Sequence, residues 1–194
     1  MAQQPLILAS TSPRRSQLLR EAGIPFEAVE PRYIEPEPET WEFSAVELAE
    51  AASYFKARSV AENYPDRIIL GADTIVALGD QLFGKAQTPE EARRILSTLS
   101  GTTHQVITGV TLYTSKCHRR LIRHAVTQIH MRRMTDAQLD AYVASNEWQG
   151  KAGAYGIQDT GDQFIERIEG SFTNVVGLPV ELVQEMLDVF QRHG

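Results

Sequence analysis

The hydrophobic positions of this chain follow two alternating rhythms. Short apolar runs such as Leu6 to Ala9 and Arg67 to Ala72, RIILGA, have the length of strands, and the spaced apolar positions between them recur as they do on one face of a helix. The chain opens with strand Leu6 to Ala9, then a helix capped by Ser12 with Pro13 as its first residue and closed at Gly23, then strand Phe26 to Val29. Ser44 with Glu47 three residues on makes a capping box, which predicts a long helix over SAVELAEAASYFKARSVAEN. RIILGA leads through Asp73 and Thr74 into IVAL, a turn at Gly79-Asp80 and QLF, which reads as a hairpin. Thr88, Pro89 and Glu91 open a helix to Leu99, and HQVITGVTLYTS and RLIRHAVTQIHM form two long strands joined around 116–120. Thr135 caps a helix to Ser145, and Pro179 starts the last helix, to Phe190. This order predicts an α/β fold with helices packed on a central sheet.

Length and composition narrow that picture. No linker, repeat or low-complexity segment offers a place to cut, so residues 1–194 are read as one domain with room for two lobes. Hydrophobic residues at 42% and charged ones at 23% are those of a globular chain, and the formal net charge of -6 argues against a nucleic-acid backbone as the main partner. The single cysteine, Cys117, excludes an intramolecular disulfide and fits a reducing compartment. No apolar run reaches the roughly 20 residues that span a bilayer, and MAQQPLILAS has no basic leader region, so no membrane partner and a cytoplasmic location are expected.

Several polar residues stand where chemistry could use them. Arg14 and Arg15 fall in the first turn of a helix, where unpaired N–H groups already make the end positive, so they ask for an anion beside them. Asp73 follows a buried apolar strand, at what reads as its carboxyl end; there it could hold Mg²⁺, position a water or cap a turn. Lys56 in the long helix and Lys85 after Gly84 would add cations suited to a triphosphate. GKAGAYGIQDTG, 150–161, is rich in glycine and alanine and can approach a ligand closely, with Tyr155 either core or a stacking surface. In GSFTNVVGLP, 170–179, Ser171 and Asn174 could bind a ligand or tie down a loop. The basic run KCHRRLIRH, 116–124, reads as a solvated hairpin tip. Neither GxxxxGK[ST] nor GxGxxG occurs, and the histidines show no zinc spacing.

LASTSPRRSQLL, the acidic loop around Glu35, FKA at 55–57, GADT at 71–74, GK at 84–85, KAGAYGIQ at 151–158 and GSFTNVVGLP at 170–179 together resemble, in order, the Maf family of nucleoside triphosphate pyrophosphatases. The resemblance implies an elongated α/β fold, a mixed sheet flanked by helices with a cleft between two lobes, related in shape to the inosine triphosphate pyrophosphatases. It implies hydrolysis of a nucleoside triphosphate to the monophosphate and pyrophosphate, dependent on Mg²⁺ or Mn²⁺, and a homodimer. Carried onto this sequence, Asp73 is the general base, and Glu35 is a second acidic residue, with Asp73, for metal or water. Ser10, Arg14, Arg15, Lys56 and Lys85 match phosphate-side positions. Arg14, Thr74 and Gln158 match members associated with dTTP and UTP, where the 7-methyl-GTP type carries Trp, Gln and Glu. Ile34 and Ala86 depart from the family's usual Asp and Pro. The rival readings are a pyrophosphatase for inosine triphosphate or 7-methyl-GTP, and a nucleotide-binding regulator of septum formation without turnover.

Overall fold

The computed structural model describes residues 4–33, 43–157 and 163–192. The chain begins with β1 (Leu6–Ala9), buried along its whole length, and turns at Ser10 into α1 (Pro13–Glu21). Ser12 caps α1 by accepting from the Arg15 amide, Pro13 takes the first position, and Gly23 at φ +67 ends it with a left-handed turn. β2 (Phe26–Val29) returns parallel to β1, Leu6 opposite Phe26. The capping box forms as the sequence predicts: Ser44 and Glu47 satisfy each other's amides at the start of α2 (Ala45–Ala61).

β3 (Ile69–Leu78) lies parallel to β1 and then pairs antiparallel with β4 (Gln81–Phe83) through the turn at Gly79. Here the structure corrects the sequence reading: Asp73 is inside a ten-residue strand, not at its end. Gly71, two residues before it, lies within the strand, and its missing side chain makes room for the helix packed above it. α3 (Pro89–Leu99), β5 (Thr103–Thr114), β6 (Arg119–Met131) and α4 (Asp136–Ala144) match the expected elements closely. β7 (Ile165–Glu169) and the short α5 (Phe172–Val176) were not expected, and α6 (Val180–Arg192) closes the described chain. Among the described residues the strands form one seven-stranded mixed sheet, in the order β2-β1-β3-β5-β6-β7, with β4 on β3.

Packing divides the chain into two compact units: Met1–Asp73, Thr108–Ala125 and Gly177–Gly194 make the first, Thr74–Ile107 and Val126–Val176 the second. In the first, Ile7, Ala9 and Ile69 of the sheet pack with Ala57, Val60 and Ala61 of α2 and with Tyr113. In the second, Leu96, Leu99, Ile129, Leu139 and Tyr142 are buried, and Arg93 of α3 reaches Asp136 and Asp140 of α4 at 3.0 and 2.7 Å. Among the described residues no helix is long and apolar enough to cross a membrane.

Candidate active site

In the first unit the residues between β1 and α1 build a small polar frame. Ser10 is buried, and its hydroxyl oxygen accepts from the Ser12 amide at 3.1 Å and from the Arg15 guanidinium at 3.3 Å. Arg15 also donates through Nε to the Gly177 carbonyl at 2.9 Å, which anchors the loop ahead of α6 to the start of α1. Arg15 is therefore a brace as well as a cation, a role its place in the sequence did not signal. Arg14 beside it is half-buried in the same first helical turn.

The second feature is an ion pair between α2 and β3. Lys56 donates from Nζ to Oδ1 of Asp73, and the two side chains are only 9% and 14% exposed, so water screens them little. Their meeting depends on a close approach of helix to sheet. A methyl at Gly71 would lie 2.1 Å from the Ser53 carbonyl oxygen and 2.9 Å from the Ala57 amide, and one at Gly109 of β5 would lie 2.2 Å from the Ala49 carbonyl. The two glycines let α2 settle on the sheet, and Lys56, one residue before Ala57, is thereby brought onto Asp73, two residues after Gly71. Across the contact, Ser53 and Thr111 share a buried hydroxyl hydrogen bond of 2.7 Å. Tyr33, the last residue described before the acidic loop, stacks on Phe55 at 5.8 Å, with the Lys56 ammonium 5.9 Å from its ring centre.

The second unit holds Thr74, half-buried on β3, and Lys85, which is exposed after β4. Lys85 bridges Ala152 in a short antiparallel pair, and the Gly153 amide donates to the Gly84 carbonyl at 3.0 Å. The GK and KAGAYG motifs, far apart in sequence, are thus neighbours. Lys151 is buried and lies over Gly156, its Nζ 2.6 Å from where a methyl on that glycine would be.

Tyr155 settles as core: it is buried and its hydroxyl lies 2.7 Å from His104 Nε2. Thr102 spends its hydroxyl proton on the Leu99 carbonyl at 2.7 Å, so its oxygen can only accept from His104 Nδ1, 3.4 Å away. That assigns the ring proton to Nδ1 and leaves Nε2 to accept from Tyr155. Burial, and then the nearby His130, push the His104 pKa down to about 4, and burial raises that of Tyr155 above the ordinary phenol range. Tyr142 accepts from the Gly156 amide at 3.2 Å, a second tie on the same loop. Asn174 proves to be a fastener: fully buried, it donates to the Val106 carbonyl and to Thr127, both at 3.0 Å. Ser171 accepts from the Asn174 amide at 3.1 Å.

Glu35 and Gln158 lie outside the described residues. Among the described residues no three His, Cys, Asp or Glu side chains converge as a metal cage would require. Mg²⁺ does not demand one, since it commonly takes one or two carboxylates together with substrate phosphates and water. Asp73, with a carboxylate oxygen already turned to a cation, fits such a sparse site.

The family model described as Maf-like protein matches residues 5–190. Curated relatives include a "dTTP/UTP pyrophosphatase" of Moorella thermoacetica, 42% identical over 95% of this chain and 94% of its own length. Those of Cereibacter sphaeroides and Symbiobacterium thermophilum bear the same name. The first is 44% identical over 90% of this chain and 89% of its own, the second 42% over 96% and 94%. A solved structure, the Staphylococcus aureus Ham1 protein, superposes with a TM-score of 0.46 at 12% identity, covering 66% of this chain and 72% of that one.

Proposed function

This chain belongs to the Maf-like protein family, and on that premise we propose that it is a nucleoside triphosphate pyrophosphatase acting on dTTP and UTP. The observation that carries the reading is the ion pair of the half-buried Asp73 with the buried Lys56. A carboxylate held in one orientation among low-dielectric surroundings can receive a proton from an attacking water, a task that hydrolysis near neutral pH requires. Water adds to the α-phosphorus, the bond to the bridging oxygen breaks, pyrophosphate departs with that oxygen, and the water's proton passes to Asp73. Lys56 fixes the carboxylate and offers a cation to the phosphates as charge grows on the leaving group.

The other roles follow the family positions. Ser10, Arg14, Arg15 and Lys85 bind phosphate oxygens, and Arg14, Thr74 and Gln158 select the base. Gln158 can both donate to and accept from a neutral pyrimidine edge. Asp73 and Glu35 would hold Mg²⁺ or Mn²⁺ together with the substrate. When bound, the metal neutralises phosphate charge and orients the phosphoryl oxygens. The proposed compartment is the cytoplasm, where the substrates are found and where the exposed, free Cys117 stays reduced.

Pyrophosphate release with Mg²⁺ or Mn²⁺ across dTTP, UTP, CTP, ITP, 7-methyl-GTP and ATP tests this. Turnover confined to dTTP and UTP, lowered about a hundredfold or more in Asp73→Asn, is the expected result. Turnover of 7-methyl-GTP or ITP alone would overturn the substrate assignment, and near-normal activity in Asp73→Asn would overturn the base. Nucleotide binding without release from any member of the panel would favour a regulator.

A further inference from the structure

The basic hairpin tip at 116–124 takes no part in that chemistry, and most of its charged groups are engaged locally. Lys116 pairs with Asp66 at 2.7 Å, Arg119 lies 4.1 Å over the Phe190 ring, and His124 contacts Glu50 at 2.8 Å. Arg120 is placed differently. Its guanidinium lies 5.4 Å from the centre of the Tyr54 ring, and with Arg58 it lines a cavity of about 340 Å³. Tyr113, His118 and Glu62 also face this space. Among the described residues Arg58 has no ion-pair partner.

All of these groups belong to the first unit, and they are separate from the Lys56–Asp73 pair. Tyr54 and Arg58 of α2 and Glu62, the residue that caps its end, are spaced by four residues, whereas Lys56 is two residues, or roughly 200°, around the helix from Tyr54. The floor is held by contacts of its own, while Arg58, Glu62, His118 and Arg120 stand exposed around it. Ser115 donates from its hydroxyl to the Ala61 carbonyl at 3.1 Å, which fastens the hairpin tip to the helix, and Tyr54 meets Tyr113 edge-on at 6.0 Å. His118 has φ +49, a conformation that glycine or asparagine would adopt at less cost, and its ring lines the cavity.

We propose that this cavity is a second ligand site, for a small molecule that carries both a planar ring and a phosphate group, of the nucleoside monophosphate kind. Two guanidinium groups facing one carboxylate reverse, locally, the sign of a chain whose formal charge is -6. Planar guanidinium forks match phosphate oxygens, and the tyrosines offer flat apolar surface for a ring. Glu62 can accept from sugar hydroxyls or from ring N–H groups. The volume is near the lower end of small-molecule pockets, which suits a mononucleotide. The site stands on this cavity alone and does not depend on hydrolysis elsewhere.

The test is a titration of the isotope-labelled full chain with UMP, uridine and inorganic phosphate in turn, following the Arg58 and Arg120 side-chain N–H signals and the Tyr54 ring by nuclear magnetic resonance. UMP should shift all three saturably, inorganic phosphate should bind about tenfold more weakly, and uridine should leave the arginines unmoved. Arg58→Gln with Arg120→Gln should abolish the Tyr54 shift while UMP still perturbs Lys56. Shifts at Lys56 and Arg14 with Arg58, Arg120 and Tyr54 silent in the unaltered chain would overturn the proposal. So would uridine matching UMP, which removes the phosphate from recognition, or phosphate matching UMP, which removes the ring. Because the unaltered chain gives the deciding signal, a poorly folding variant would not blunt the test.

Discussion

His104 enters the folded chain as a neutral ring, and the reason is local. Its Nδ1–H goes to Thr102 and its Nε2 accepts from Tyr155, so a second ring proton would take the place of the Tyr155 proton in that bond and would put a charge in the core. The depressed pKa, about 4 against an ordinary 6.5, makes this a statement about stability. Between those values the unfolded chain binds the proton and the folded chain does not, so acid favours unfolding. The stability tied to His104 is fully present above about pH 6.5 and is lost as pH falls toward 4, by up to about 3 kcal/mol. Thermal unfolding of the unaltered chain and of His104→Gln from pH 7 to pH 4 measures it. The unaltered chain should lose stability more steeply, and parallel curves would show that His104 titrates normally. The sequence held both residues in view, Tyr155 as core or stacking surface and His104 as one of the scattered histidines. What it could not display was their pairing, since 51 positions separate them and only the packed loop joins them.

At the scale of elements, the approach of α2 to β3 and β5 decides where Lys56 stands. Gly71 has no φ that demands glycine, so the requirement is space: backbone from Ser53 fills the volume that a side chain would take. Gly71→Ala should push the helix away, cost roughly 2 kcal/mol or more, and lower the melting temperature by about 5 °C or more. Turnover should fall more than stability implies, by about a hundredfold, since a shift near 1 Å separates Lys56 from Asp73. Gly79→Ala is the matched control: no atom lies within 4 Å, its φ is +58, and it should cost about 1 kcal/mol with turnover retained. Equal effects of the two on turnover would refute the spacing argument.

The elements themselves were largely legible, because caps and prolines announce α1, α2, α3 and α4 by local chemistry. β7 was not. Its pairing with β6 shifts register between His130 and Met131, so IERIE lacks the strict alternation that betrays a strand. Asp73 reads as a strand end because the apolar run RIILGA stops before it, whereas the strand continues to Leu78 and Gly71 within it makes room for a helix. The candidate site was legible as residue types and not as partnerships: the brace from Arg15 to Gly177 and the pairing of Lys85 with Ala152 join segments that nothing local connects.

On the scale of the whole molecule, the absence of a linker in the sequence acquires a structural reason. Three of the four crossings between the two units, at 73/74, 107/108 and 125/126, fall inside β3, β5 and β6, and the fourth, at 176/177, falls directly after α5. Neither unit is a continuous piece of chain, and a strand cannot keep its hydrogen bonds in one half while the other half is unfolded without fraying at the join. Cooperative unfolding is therefore expected, with no stage at which one unit persists alone. Trp148, buried in the second unit, reports on that unit once Trp41 is replaced by Phe. Hydrogen exchange in α2 reports on the first. Denaturant midpoints from Trp148 fluorescence, from α2 exchange and from circular dichroism should coincide. If α2 opened at lower denaturant than the surroundings of Trp148, the first unit would be a separate folding unit despite its shared strands, and the Lys56–Asp73 pair would be lost before the rest of the protein melts.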